Sequence, residues 1–194
     1  MRVIAGEYRG RSLTAVPGKG TRPTTDKVKE SIFNMIGPYF DGGWVLDLYA
    51  GTGGLAIESL SRGMEGAICI DIDPKAVAVI KNNLASLGLA ERAEVYRNDA
   101  ERSVRALAKR AIRFDLVFLD PPYAQQKIAS DLTLIQQFGL LASDAWIVAE
   151  HDTEVSLPEQ IVDCVVDRRA SYGDTCVSVY RFTGKIPAVP LDPR

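Results

Sequence analysis

Apolar positions along the chain fall into two alternating patterns. Short apolar runs at Trp44–Tyr49, Ala67–Asp71, Ala93–Arg97, Phe114–Leu119 and Ala145–Glu150 read as strands. Between them, Val77, Ile80, Leu84 and Leu87 recur at the spacing of one helical face, with Asp73 as cap and Pro74 at the first helical position. Val104 with Leu107, and Ile128 with Leu132 and Ile135, mark two further helices. Strands apolar on both faces, separated by amphipathic helices, predict a parallel sheet covered on both sides. Two final runs, Ile161–Arg168 and Thr175–Phe182, have no helical stretch between them and predict an antiparallel pair that finishes the sheet. The predicted fold class is α/β, a doubly wound, mostly parallel seven-stranded sheet.

Upstream of the sheet, Val28, Ile32, Met35, Ile36 and Tyr39 predict a helix after the turn Arg22-Pro23-Thr24-Thr25. Thr24 or Thr25 can cap it, and Gly37-Pro38 bends or ends it. Residues 1–20 are Gly- and Arg-rich, with Val3, Ala5 and Leu13 apolar, and predict a basic hairpin or extended arm. The organisation expected is therefore an arm over 1–20, one domain over 21–182, and a tail over 183–194 containing Pro187, Pro190 and Pro193.

The 194 residues, 46% apolar and 25% charged, suffice to bury a core without disulfides or metal. No run approaches the roughly 18 apolar residues of a membrane span, and the start lacks the apolar stretch of a secretory signal. A cytoplasmic protein is expected, with Cys69, Cys164 and Cys176 as reduced core residues. His151 is the single histidine, which leaves no His-based metal site and no Ser-His-Asp triad, and it reads as structural. Charge changes the picture further. Residues 1–30 carry Arg2, Arg9, Arg11, Lys19, Arg22, Lys27 and Lys29 against Glu7, Asp26 and Glu30, a balance of +4 in a chain of net −2. A basic end on an acidic body suits a polyanionic partner, although a merely solvated terminus reads the same way.

Candidate chemistry gathers at the strand ends. Asp47-Leu48-Tyr49-Ala50-Gly51-Thr52-Gly53-Gly54 runs from the first strand into a helix beginning near Leu55. In a doubly wound sheet that loop is where ligands bind, and glycines let backbone approach a ligand closely. Gly51, Gly53 and Ala56 also satisfy a dinucleotide pattern, with Asp71 20 residues after Gly51. Asp47, however, would set a carboxylate near a pyrophosphate, which is unfavourable at short range. The same carboxylate suits S-adenosylmethionine, which carries an ammonium and a sulfonium and no phosphate. Asp71, ending the second strand, can take ribose hydroxyls. Asp99, after the third strand, can accept from an adenine amino group or simply cap the helix that begins at Ala100.

Asp120-Pro121-Pro122-Tyr123 follows the fourth strand and so faces the same edge. Two prolines remove two backbone donors and stiffen the turn. The Asp120 carboxylate and the Pro121 carbonyl can accept both hydrogens of an amino group on a base. Tyr123 offers a stacking face, worth about 1–3 kcal/mol in single-strand recognition.

The order of these two motifs, about 70 residues apart, resembles the Rossmann-like, S-adenosylmethionine-dependent amino-methyltransferases. Arg9-Gly10-Arg11, Thr21-Arg22-Pro23-Thr24-Thr25-Asp26 and Tyr172-Gly173-Asp174-Thr175 narrow the likeness. With them, the chain is similar to the bacterial small-subunit ribosomal RNA guanine methyltransferases over residues 2 to about 182. That resemblance implies methyl transfer to the exocyclic amine of one guanine, with Asp120, Pro121, Pro122 and Tyr123 catalytic. It implies a cofactor site of Asp47, Tyr49, Ala50, Gly51, Gly53, Asp71, Ile72, Asp99, Ala100 and Asp120, with Arg22, Pro23 and Thr24 closing over the methionine carboxylate. Arg2, Arg9, Arg11, Lys19, Lys27 and Lys29 would hold RNA phosphates, in a monomer acting on ribosomal RNA within a small-subunit particle. No metal is implied. Two other readings use the same motifs: a DNA adenine amino-methyltransferase, and a non-catalytic RNA-binding ribosome assembly factor. A nicotinamide oxidoreductase leaves Asp120-Pro121-Pro122-Tyr123 without a role.

Overall fold

In a computed structural model, residues 1–18, 24–122 and 127–186 are described. Among the described residues, five α-helices, one 3-10 turn (Ala90–Arg92) and eight strands are formed, strands and helices alternating up to the fifth strand as the apolar pattern requires. Helix α1 (Asp26–Ile36) starts where the Thr25 hydroxyl accepts the Val28 N–H and stops at Gly37, ahead of Pro38. It buries Val28, Ile32, Phe33 and Ile36. Tyr39, expected on that helical face, lies past the stop and is 62% exposed, because the residue before a proline is driven out of the helical region.

Strands β1 (Trp44–Asp47), β2 (Gly66–Asp71), β3 (Ala93–Arg97), β4 (Phe114–Leu119) and β5 (Leu141–Asp152) are parallel. Helix α2 (Gly54–Ser61) follows β1, α3 (Pro74–Ser86) follows β2, α4 (Ala100–Leu107) follows β3 and α5 (Ile128–Gln137) follows β4. Asp73 and Asp99 cap α3 and α4 through their carboxylates. One core layer joins Ile32 and Phe33 of α1, Ile57 and Leu60 of α2, and Ile80 and Leu84 of α3 on one sheet face. The other layer joins Val104, Leu107, Leu132 and Ile135 of α4 and α5 on the opposite face. Each such buried aliphatic side chain contributes roughly 1.5–3 kcal/mol.

The sheet has eight strands, in the order β3-β2-β1-β4-β5-β8-β7-β6, where the sequence predicted seven. The expected run Ile161–Arg168 is divided between β6 (Gln160–Ile161) and β7 (Cys164–Tyr172), which pair antiparallel around Val162 and Asp163. Val162 has φ of 53° there, a left-handed conformation unusual for a β-branched residue. Strand β8 (Thr175–Phe182) returns antiparallel between β5 and β7. The order reverses between β1 and β4, and the crevice outside their carboxyl ends is the ligand position of such sheets.

The first eighteen residues are not a free arm. A single antiparallel bridge, Arg2 to Ser12, closes them into a loop. Glu58 of α2 accepts the N–H groups of Ile4 and Ala5 at 2.9 and 3.0 Å, and Val3 and Leu13 enter the core. Among the described residues no helix is long and apolar enough to cross a membrane.

Candidate active site

A cleft of about 1400 Å³ opens at the carboxyl ends of β1, β2, β4 and β5. Its walls bring together Thr24, Asp47, Tyr49, Ala50, Gly51, Asp71, Ile72, Asp99, Ala100, Asp120, Pro121 and Pro122 from the sequence-derived set. Gly53, between the lining residues Thr52 and Gly54, does not itself line the cleft. Arg22, Pro23, Lys19 and Tyr123 lie outside the described residues.

The glycine loop is held by the neighbouring strand. The Ala50 N–H donates to the Ile70 carbonyl at 2.9 Å, and the Gly51 N–H donates to an Asp71 carboxylate oxygen at 2.8 Å. The other Asp71 oxygen accepts the Asp73 N–H at 2.9 Å. A carboxylate has about four acceptor positions, so Asp71 keeps capacity for a ligand. Gly51 and Gly53 both have positive φ, 56° and 79°. A Cβ on Gly53 would sit 3.1 Å from Ile80, whereas one on Gly51 would meet nothing within 4 Å. The space beside Gly51 belongs to the cleft.

Acid dominates the floor. Asp47 is 2% exposed and its Oδ1 has no hydrogen-bond partner. Burial pushes its carboxyl up to about 8, and the nearby Asp71 and Glu150 carboxylates add to the rise, against a backbone hydrogen bond from Tyr49. Asp120 is raised well above the usual carboxylate range by burial, Glu150 and Asp47. Glu150 is raised by burial and partly lowered by the Thr24 hydroxyl, which donates to it at 3.1 Å. Among the described residues, none of these three carboxylates has an ion-pair partner. A cleft so built attracts a cation.

The chain matches the family described as "Conserved hypothetical protein 95" over residues 1–181. The ribosomal RNA small subunit methyltransferase D of Escherichia coli K12 is 33% identical over 181 residues, covering 93% of this chain and 89% of that one. The chain belongs to this methyltransferase D family. YlbH of Bacillus subtilis is 59% identical over 184 residues, covering 95% of this chain and 100% of that protein. The solved structure of yhhF from Escherichia coli superposes with a TM-score of 0.80 at 32% identity, covering 95% and 99% of the two chains. HI0767 from Haemophilus influenzae gives 0.78 at 28% identity, covering 93% and 97%. The fold of the family is that of S-adenosylmethionine-dependent methyltransferases.

The structure corrects the expected phosphate contacts of this family member at one position. Lys29 is 1% exposed: its Nζ donates to the Arg2 carbonyl at 2.6 Å and lies 3.5 Å from Glu58. Burial lowers its pKa against the opposing pull of Glu58. An ammonium held inside in this way does not meet phosphate. Arg2 is exposed and pairs with Asp26, and Arg11 donates to the Ser86 carbonyl. Arg9 and Lys27 are exposed with no partner among the described residues, and Lys27 stands on the cleft wall.

Three placements at the site come from the structure alone. Glu150 enters the sequence reading only as the end of the run Ala145–Glu150, yet its carboxylate faces the cleft while His151 turns away to Ser178, with Nε2 2.8 Å from the hydroxyl. The Tyr49 hydroxyl donates to Asp131 of α5 at 2.5 Å, tying the glycine loop to the helix that follows Asp120-Pro121-Pro122. Tyr172, quoted from the sequence within Tyr172-Gly173-Asp174-Thr175, packs against the core and hydrogen-bonds Ser31 of α1.

Proposed function

We propose that this protein transfers a methyl group from S-adenosylmethionine to the exocyclic amine of a guanine in small-subunit ribosomal RNA. Methyl transfer to ribosomal RNA rests on membership of the methyltransferase D family. The observation that carries the finer reading is the Asp120-Pro121 corner, partly buried beside the acidic floor and the glycine loop.

The cleft fits the cofactor by its donor set. The buried, unbonded Oδ1 of Asp47 offers an acceptor to an ammonium, and the open space at Gly51 admits a methionine moiety. Asp71 retains acceptor positions for ribose hydroxyls. Ile72, 68% exposed on the cleft wall, offers apolar surface to an adenine, and Asp99 can accept from its amino group while capping α4. Thr24 lines the same cleft.

When bound, the cofactor supplies an electrophilic methyl group; positioning the nitrogen falls to the chain. A guanine exocyclic amine is delocalised into its ring and nearly non-basic. The Asp120 carboxyl oxygen and the Pro121 carbonyl would accept its two hydrogens, turning the lone pair outward and stabilising the positive charge that develops on nitrogen. The target base must stand free of its stack, so an unpaired guanine presented within a small-subunit particle is the substrate expected.

The test is transfer of a tritiated methyl group to small-subunit particles, naked ribosomal RNA and DNA in parallel. Label is expected on RNA, recovered as guanine methylated on its exocyclic amine. In Asp120→Ala, transfer should vanish while calorimetry still detects cofactor binding. Label on DNA adenine would overturn the substrate, and undiminished turnover in Asp120→Ala would overturn the mechanism.

A further inference from the structure

Glu150 has no part in the scheme above, yet it shares the floor of the cleft with Asp120. Leu119 of β4 pairs with Ala149 of β5 in parallel register, so Asp120 and Glu150 follow directly on the two adjacent strands. Both line the cleft, and Glu150 is 8% exposed. A glutamate buried at a strand end without a cation is expensive unless it shares a proton or its charge has a purpose. The Thr24 hydroxyl is its one hydrogen-bond donor among the described residues.

We propose that Glu150 and Asp120 form a carboxyl pair that takes up the proton released by the substrate amine and shares it. The inference rests on the methyl-transfer reading and deepens it. The substrate nitrogen uses its lone pair to form the new N–C bond as the C–S bond breaks, with that electron pair remaining on sulfur. The nitrogen then carries one proton too many. The ionised pair, with two negative charges, accepts that proton, becomes singly protonated with one negative charge, and returns the proton to solvent after product leaves. A lone ionised Asp120 is a weaker base than one facing a second carboxylate, because like charges at close range favour the protonated form.

The groups around the pair agree with this assignment. Asp47 comes from β1 and Asp71 from β2, both acidic. Thr24 and Lys27 approach from the start of α1, Lys127 and Asp131 from α5, and Tyr172 from the β7–β8 turn. Lys29 is engaged by Glu58. Burial and the negative charges of Glu150 and Asp47 facing it raise Asp120, and Glu150 is itself raised by burial.

Carboxyl carbon-13 NMR of the whole protein, without cofactor or RNA, tests the pair independently of activity. In the wild type the Asp120 and Glu150 signals should each respond in two common steps, as coupled sites do. Glu150→Gln should leave Asp120 with a single step at lower pH, and the acid limb of the kcat profile should move to lower pH with it. Thr24→Val removes only the hydroxyl that stabilises ionised Glu150, so it should move the paired titration to higher pH. It thereby replaces Glu150→Gln should that variant not fold. An Asp120 titration of one step, unmoved by either substitution, would overturn the pair while leaving methyl transfer standing. If the pair titrates as described but no substrate accepts label, the methyl-transfer reading fails instead.

Discussion

Asp47 holds its proton up to about pH 8, against an ordinary value of 3.8. Between those two values the folded chain binds a proton that the unfolded chain has released. Its contribution to stability is therefore present at low pH and is lost as pH rises through the window. Urea denaturation should give a lower midpoint at pH 8.5 than at pH 5, and Asp47→Asn should flatten that dependence. A cationic group placed against Oδ1 favours the ionised form, so cofactor binding should expel a proton. Calorimetry in two buffers of different ionisation heat reads this directly; no buffer dependence would remove Asp47 from cation binding. At this scale, Asp47, Asp71 and Asp120 were legible in the sequence because each stands at or near the end of an apolar run. Glu150 ends one too, but β5 continues two residues beyond it to Asp152. Nothing local distinguishes a carboxylate that faces a cleft from one that caps a strand, and the adjacency to Asp120 exists only in the sheet.

Among the elements, α2 organises the amino-terminal part of the chain. All eight of its residues are buried, and Glu58 gathers Arg62 at 2.9 Å, Lys29 at 3.5 Å and the N–H groups of Ile4 and Ala5. Arg62 also stacks over Phe33, with 4.7 Å from its guanidinium carbon to the ring centroid. Removing the carboxylate leaves two buried cations unmatched, so Glu58→Ala should lower the unfolding free energy by about 3–5 kcal/mol. Lys29→Met keeps the Glu58–Arg62 pair and most of the side-chain volume, and should cost less; a reversed order in urea denaturation would contradict this account. The alternation of strands and helices, and the caps Asp73 and Asp99, followed from periodicity and capping chemistry. Lys29 did not, because a lysine on an amphipathic helix reads as solvated unless its partner, 29 positions away, is known. The β6–β7 turn was missed for a similar reason. Positive φ is normally signalled by glycine or asparagine, and Val162 gives no such signal.

Across the whole molecule, the basic first thirty residues and the acidic remainder are not separate bodies. The loop over residues 1–13 is stitched to α2, and Asn83 of α3 bridges Thr14 to the glycine loop through the carbonyls of Thr14 and Thr52. The positive charge this end exposes is thus held on the folded body, and it is smaller than the sequence count suggests. Lys29 is internal, and Arg2 and Arg11 are partly occupied by Asp26 and the Ser86 carbonyl. Arg9 and Lys27 remain as the exposed cations of the described part of this end that hold no partner. Each phosphate contact made to a single strand contributes about 0.7 to the slope of log affinity against log salt. Replacing both Arg9 and Lys27 by alanine should therefore flatten that slope by about 1.4 in filter binding to small-subunit RNA. Lys29→Met should leave the slope unchanged while lowering stability, which separates an internal ammonium from a phosphate contact in one experiment. An unchanged slope in the double variant would move the RNA path off α1 and the amino-terminal loop, toward the other rim of the cleft, where Lys127 precedes α5.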